Sequence, residues 1–155
     1  ACAFKGNVEY DTIAQIKDNV SIPVFANGDI TDPLQAKQVI DYTRADGVLI
    51  GRAAQGNPWI FREIQHYLET GERLSAPCNK EVRAVLIEHL QRLHAFYGEP
   101  MGVRIARKHF AWYVQNHPLG AQFKSVFNRL DSAPEQIATA QEYFEQIIKG
   151  EVLAA

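Results

Sequence analysis

The sequence predicts an α/β region over residues 1–74 followed by an all-α region over residues 75–155, and two observations support this division. First, the apolar runs "SIPVFAN" and "DGVLIG" alternate with stretches of helical periodicity. Short continuous apolar runs are typical of strands buried on both faces, and their alternation with helices indicates parallel strands joined by right-handed crossovers. Second, strand signals stop after "TGERLSAPCN", which has the composition of a linker.

Three helices are predicted in the α/β region. The spacing of the isoleucines in "DTIAQIKDN" predicts the first, over residues 10–19. Thr31 or Asp32 is expected to cap the second, with Pro33 in its first turn. The third is predicted to begin at a proline and to cover about residues 58–68. The apolar stripe of the second helix consists of Leu34, Ala36, Val39 and Ile40.

About four helices are predicted in the all-α region. The stretch "KEVRAVLIEHLQRLHAFYG" has helical periodicity, and Gly98 and Pro100 are expected to end it. The next helix is "VRIARKHFAWYVQNH", which Pro118 and Gly120 are expected to stop, and "AQFKSVFNRL" and "PEQIATAQEYFEQIIKG" complete the set. The apolar positions of the first of these helices are Val82, Val85, Leu86, Leu90, Leu93 and Phe96.

The 155 residues, 46% hydrophobic and 22% charged, have the composition of a soluble globular protein. No apolar stretch is long enough to span a membrane and no leader is evident, so we predict no membrane association. Cys2 and Cys78 are far apart and lack the spacing of metal ligands, which predicts no disulfide framework and no metal site and favours a reducing cytoplasm. Because the chain opens with "ACAFKGNVEY" rather than with methionine, we expect its natural start to lie elsewhere.

The net charge of −2 conceals an uneven distribution. Residues 83–129 contain seven basic and two acidic side chains, so this segment has a net charge of +5 and the remainder a net charge of −7. Four of the five histidines also lie in this segment. Both a polyanion-binding surface and an ordinary solvated basic face fit this distribution.

The stretch "VRIARKHFAWYVQ" within the basic segment is amphipathic, and its cationic side is open to solvent or phosphates. Trp112 lies between the two sides, where it is either a partly buried core residue or a base-stacking residue. His109 is interpreted as a structural residue. The apolar side consists of Val103, Ala106, Phe110, Tyr113 and Val114. The cationic side consists of Arg104, Arg107, Lys108 and Gln115.

Each predicted strand ends in a glycine turn that leads towards a helix. Gly28 follows the first strand, and Gly51 follows the second with Arg52 next to it. Parallel strands expose backbone N–H groups at their carboxyl ends and glycine lets a ligand approach them, so the two turns form a candidate phosphate cradle. Arg52 would add a charge-assisted contact. Taken singly, Gly28 also fits a plain turn glycine, Asp29 a helix cap and Arg52 a surface cation.

The stretch "PVFANGDITDP" followed by "ADGVLIGRAAQGNPWIF" closely resembles the C-terminal part of the flavin barrel of tRNA-dihydrouridine synthases, in the order and spacing of the bacterial B-type subgroup. The likeness continues through "REIQHYLETGE" and "FYGEPMGVRIARKHFAWYV" and covers essentially the whole chain. It implies that residues 1–74 are the last two strands of an FMN-binding (β/α)₈ barrel of the TIM type, and that residues 75–155 are a helical tRNA-binding domain. The FMN contacts that it implies are Asn27, Gly28, Asp29, Gly51 and Arg52. Together with the +5 charge of residues 83–129 and the nearby histidines, the implied helical tRNA-binding domain favours Arg104, Arg107 and Lys108 as tRNA contacts.

The resemblance further implies a cytoplasmic oxidoreductase that reduces a D-loop uridine of tRNA to 5,6-dihydrouridine. In that reaction NADPH reduces FMN, reduced FMN gives hydride to C6 of the uridine, and a cysteine protonates C5. Neither Cys2 nor Cys78 matches the motif of the catalytic cysteine, so no catalytic residue is assigned and the chain alone is expected to be inactive. Two alternatives stay open: another FMN- or phosphate-binding barrel enzyme, and a stand-alone RNA-binding helical module with a vestigial α/β leader.

Overall fold

The computed structural model describes residues 8–117 and 119–154. The chain folds as two compact units, an α/β unit over residues 1–75 and a helical unit over residues 76–155. The elements of the α/β unit are α1 (Asp11–Asn19), β1 (Phe25–Asn27), α2 (Pro33–Thr43), β2 (Gly47–Leu49), a 3₁₀ turn (Arg52–Ala54) and α3 (Ile60–Thr70). The elements of the helical unit are α4 (Asn79–Tyr97), α5 (Glu99–Val114), α6 (Gly120–Phe127) and α7 (Ala133–Ala154). The predicted order of helices and strands is confirmed.

The two strands pair in parallel, as predicted, with Ala26 opposite Val48 and Asn27 opposite Leu49. Within the described residues, each strand packs on the core with one face only. Ala26 is fully buried, whereas Phe25 and Leu49 are 57% and 58% exposed. Successive side chains of a strand point to opposite faces, so only the face that carries Ala26 packs on the core of this unit.

Helix α2 begins where its cap residue satisfies the first backbone N–H groups. Of the two candidates, Asp32 is the cap: its Oδ1 accepts hydrogen bonds from the backbone N–H of Leu34 at 2.9 Å and of Gln35 at 3.1 Å. Pro33 takes the first helical position, as expected. Leu34, predicted to belong to the apolar stripe, is 40% exposed. The core of the unit consists of Ala26, Ile30, Ala36, Val39, Ala45, Ile60 and Ile64.

Two predictions for the helical unit are wrong. Gly98, with a φ of +73°, ends α4, but Pro100 lies in the first turn of α5, where its missing N–H leaves no helical hydrogen bond unmade. Phe96, predicted to lie on the apolar face of α4, is 82% exposed on the last turn of that helix. The core residues are Leu86, Leu90, Ala106, Phe110, Val114, Phe123, Phe127, Ala140, Tyr143, Phe144 and Ile147.

Helices α4 and α5 approach each other closely at Gly102. A Cβ atom at this position would lie 2.8 Å from the Cα of His94 and 3.1 Å from the carbonyl oxygen of Leu93. The fully buried amide of Gln136, on α7, joins both helices: its Nε2 donates to the carbonyl oxygen of Val103 at 3.1 Å, and its Oε1 lies 2.9 Å from Nε2 of His94. The three longest helices of the unit are therefore locked together at one point.

The close approach predicts the effect of Gly102→Ala. Alanine has a higher helix propensity than glycine, but its methyl group at this position would push α5 away from α4. We expect the free energy of unfolding to fall by about 1–3 kcal/mol, measured by urea denaturation followed by circular dichroism.

Gly150→Ala provides the matched control, because Gly150 is also helical and, in the part of the chain that the structure describes, no atom outside its own helix backbone and chain neighbours lies within 4 Å of its Cβ position. That variant should be neutral or more stable by up to about 1 kcal/mol. Equal effects of the two substitutions would show that the contact between α4 and α5 is not tight.

Candidate functional site

The two glycine turns meet at the carboxyl edge of the sheet. Because Asn27 is the register partner of Leu49, the residues that follow each strand continue side by side. The side-chain Nδ2 of Asn27 donates to the carbonyl oxygen of Leu49 at 2.8 Å, and Arg52 forms an ion pair with Asp29. The structure thus brings together the five residues predicted to contact FMN, which we call the strand-end edge: Asn27, Gly28, Asp29, Gly51 and Arg52.

The two glycines of the strand-end edge have different surroundings. Gly28 has a φ of +152°, and a Cβ there would lie 2.2 Å from Cγ1 of Val8, so the fold itself requires glycine. Its carbonyl oxygen accepts a hydrogen bond from the hydroxyl of Tyr10, whose pKa is raised by burial and by the charge of Asp29. Among residues 8–117 and 119–154, no atom outside Gly51 and its two chain neighbours lies within 4 Å of a Cβ built at Gly51. Space for a ligand beside the backbone is therefore found at Gly51.

The ion pair between Arg52 and Asp29 changes how both residues are interpreted. Asp29, weighed as a helix cap, has a φ of +43° and pairs with Arg52, while Asp32 is the cap of α2. Both side chains of the pair are at least half exposed. A guanidinium has five N–H donors in a fixed plane, so Arg52 has donors left for a phosphate while it still contacts Asp29. The donor set at this edge fits a phosphate group.

The three predicted tRNA contacts on α5 do not share one environment. Arg104 and Lys108 are exposed, and within residues 8–117 and 119–154 neither forms an ion pair. Arg107 is held by the fold: its guanidinium donates to the carbonyl oxygen of Leu130 at 3.2 Å and to Oδ1 of Asp131 at 2.9 Å. Arg107 therefore braces the turn between α6 and α7 as well as adding positive charge nearby.

A cleft of about 540 Å³ lies between α5 and α6. Three cations and two amides line it, and the described lining contains no acidic side chain. Lys124, on α6, and Asn128, which caps the C-terminus of α6, were not among the predicted site residues because they lie a helix away in sequence from α5, although Lys124 belongs to the basic segment. We call this the α5–α6 cleft; it is lined by Arg107, Lys108, Ala111, Trp112, Gln115, Lys124 and Asn128.

His109 lies in a cluster of rings beside the cleft. Its ring centroid is 4.7 Å from that of His89 and 4.9 Å from that of Trp112, both in edge-to-face geometry. Burial, and then the neighbouring His89 and Lys108, lower the pKa of His109 from its usual 6.5 to about 4. His109 is therefore neutral at pH 7 and packs as an uncharged ring.

Comparison with known proteins gives the family. The family model described as "Dihydrouridine synthase (Dus)" matches residues 1–149. The chain belongs to the dihydrouridine synthase family. It is similar to proteins named tRNA-dihydrouridine synthase B: 54% identical over 148 residues to that of Proteus vulgaris, and 57% identical over 145 residues to that of Escherichia coli (strain K12). These matches cover 96% and 94% of this chain but 46% and 45% of the relatives, so the chain spans less than half of their length.

Membership of the dihydrouridine synthase family confirms the resemblance inferred from the two barrel motifs and the "RIARKH" helix. It also removes the alternative of an unrelated phosphate-binding barrel enzyme. The family is flavin-dependent. Among the described residues, no helix is long and apolar enough to cross a membrane, and no group of three or more metal-binding side chains is found. Cys78 is an exposed free thiol at the start of α4, and Cys2 lies outside the described residues.

The lowered pKa of His109 predicts a pH-dependent loss of stability. As the pH falls, the unfolded chain protonates His109 near pH 6.5, whereas the folded chain does so only near pH 4. Protonation therefore stabilises the unfolded state between these values, so the free energy of unfolding is highest above about pH 6.5 and decreases as the pH falls towards 4. We expect the urea midpoint of His109→Asn to fall less between pH 7 and pH 5 than that of the unsubstituted chain.

His66→Asn is the control, since His66 lies on α3 in the other unit. Its pH profile should parallel that of the unsubstituted chain. Parallel profiles for all three proteins would contradict the assignment of a neutral, partly buried His109.

Proposed function

We propose that the chain is the C-terminal part of an FMN-dependent tRNA-dihydrouridine synthase of the cytoplasm, which reduces a D-loop uridine of tRNA with NADPH. Membership of the family and more than 50% identity to proteins named tRNA-dihydrouridine synthase B support this proposal. In it, residues 1–74 provide the last two strands of a (β/α)₈ barrel, and residues 75–155 form the tRNA-binding domain.

The observation that carries the proposal is the strand-end edge. Barrel enzymes often bind phosphate with the loops that follow their seventh and eighth strands. The parallel register of β1 and β2 brings two such loops together, with open space at Gly51 and a cation at Arg52. When bound, FMN would supply hydride transfer. The roles of the residues here are to orient its phosphate: Asn27 holds the two strand ends together, the backbone at Gly51 admits the phosphate, and Arg52 neutralises it.

The proton donor of the reaction is proposed to come from outside the 155 residues. Cys78 lies at the start of α4 in the helical unit and does not match the motif of the catalytic cysteine, and neither does Cys2. We therefore expect the 155-residue chain alone to be inactive.

The exposed cations of α5 support the tRNA part of the proposal. Arg104 and Lys108 project from the same side of the helix, and Arg107 adds charge although its guanidinium is held by Leu130 and Asp131. Such cations would contact the phosphate backbone and set the position of the RNA. The stand-alone RNA-binding module remains the second candidate, because the helical unit has a hydrophobic core of its own.

Arg52→Gln tests the FMN site in the protein produced from the complete reading frame. Loss of a charge-assisted contact to phosphate costs about 1.5–3 kcal/mol, so we expect FMN affinity to fall about tenfold or more. Titration of the apoprotein with FMN, followed by flavin fluorescence, measures the affinity, and NADPH-dependent formation of dihydrouridine in tRNA measures the activity.

Lys37→Gln is the control for that experiment, because Lys37 is an exposed cation of α2 paired with Asp41. It should leave FMN affinity unchanged. If the complete protein binds no flavin but binds tRNA, the RNA-binding module replaces the synthase as the function.

Arg104→Gln and Lys108→Gln test the tRNA interface of the 155-residue chain. Each lost phosphate contact should weaken tRNA binding a few-fold and make the slope of log K against log salt concentration less steep by about 0.7–0.9. Fluorescence anisotropy with labelled tRNA at several salt concentrations measures both quantities. Arg92→Gln is the control, since Arg92 lies on α4 and pairs with Glu88; an equal effect there would assign the binding to net charge alone.

A further inference from the structure

We propose that the α5–α6 cleft binds one unstacked nucleobase of an RNA and that Trp112 is the surface on which this base stacks. The inference rests on the proposed RNA-binding function and adds a specific site to it. The exposed cations of α5 account for contacts with phosphates, but they do not account for a half-buried indole ring on the wall of a basic cleft.

The first argument is the environment of Trp112. The indole is neither in the core cluster of the helical unit nor fully exposed, and it lines the cleft. The ring of His109 packs against it at 4.9 Å with an interplanar angle of 87°, and this contact restrains the indole. A restrained ring loses little conformational entropy when a base stacks on it. Trp112 is therefore already held in place for stacking.

The second argument is the charge of the cleft. The Nζ of Lys108 lies over the indole ring of Trp112, 5.6 Å from the ring centroid, in a cation–π contact, and Lys124 lines the cleft from α6. Among the described residues, neither lysine has an acidic partner. Single-stranded nucleic acid is bound by this combination of cations that contact the backbone and aromatic rings that stack on bases.

The third argument is the size and the remaining lining of the cleft. Its volume of about 540 Å³ lies within the range of pockets that bind small organic ligands, which is roughly 300–1,000 Å³. The amides of Gln115 and Asn128 provide donors and acceptors for the edge of a base. Arg107, on α5, holds the turn that follows α6 through its hydrogen bonds to Leu130 and Asp131. An acidic peptide would pair with the lysines but has no planar base to stack on the indole, so RNA is the favoured ligand.

The test compares single-stranded with double-stranded RNA. The full 155-residue chain is titrated into a fluorescein-labelled 12-nucleotide single strand of mixed sequence and into the duplex of that strand, with fluorescence anisotropy as the readout. Trp112→Leu should weaken binding of the single strand about fivefold or more, leave the salt slope unchanged and scarcely affect the duplex, whose bases are already stacked. Trp112→Phe should retain most of the affinity.

Lys124→Gln is the matched comparison, because it removes a charge from the same cleft but no ring. It should weaken the binding of both RNAs and reduce the salt slope of both. A direct measurement uses Trp59→Phe, which leaves Trp112 as the single tryptophan; its fluorescence should be quenched by the single strand and not by the duplex.

Each outcome separates the two proposals. If Trp112→Leu folds normally by circular dichroism and binds the single strand as tightly as the unsubstituted chain, or if the Trp112 fluorescence does not respond, the base pocket is overturned while salt-dependent RNA binding stands. Equal losses for the single strand and the duplex overturn it as well. If polyglutamate competes as effectively as RNA of equal charge, the cleft is a general anion site. If the unsubstituted chain binds neither RNA nor tRNA, the proposed RNA-binding function itself fails.

Discussion

The close contact of α4 and α5 at Gly102 is the constraint on which the helical unit depends. Without a side chain at this position, the backbone of α5 lies directly against His94, and the buried amide of Gln136 ties both helices to α7. This contact fixes the rotation of α5 about its own axis. Because the rotation is fixed, Val103 and Phe110 face the core while Arg104 and Lys108 face outwards. The basic face of the unit is thus a consequence of how its core packs.

In the α/β unit, the corresponding constraint is the parallel register of β1 and β2. The parallel register that places Asn27 beside Leu49 makes neighbours of two turns that are more than twenty residues apart in sequence. Gly28 is fixed there by its positive φ and by Val8, so it serves the fold, whereas Gly51 leaves room for a ligand. Two glycines that look alike in the sequence therefore have different surroundings: the one at position 28 is confined by the fold, and the one at position 51 is open.

Sequence patterns predicted correctly those features that depend on interactions between residues close together in the chain. The cap and first turn of α2, the glycine that ends α4 and the apolar periodicity of α5 depend on hydrogen bonds and side chains within a few residues, and the structure agrees with them. Signals that depend on distant partners were less reliable. Phe96 follows the apolar period of α4 but is exposed.

The sequence by itself determined the order of helices and strands, the amphipathic character of α5, the two glycine turns and the family, because each of these is encoded in short stretches of residues. Only the tertiary structure decided how their side chains are used. It paired Arg52 with Asp29, held Arg107 at the turn formed by Leu130 and Asp131, and placed Trp112 and Lys124 on the lining of one cleft. The reason is that a charge or a ring acts on whatever lies within a few ångströms of it, and in a folded chain most of those neighbours come from distant parts of the sequence.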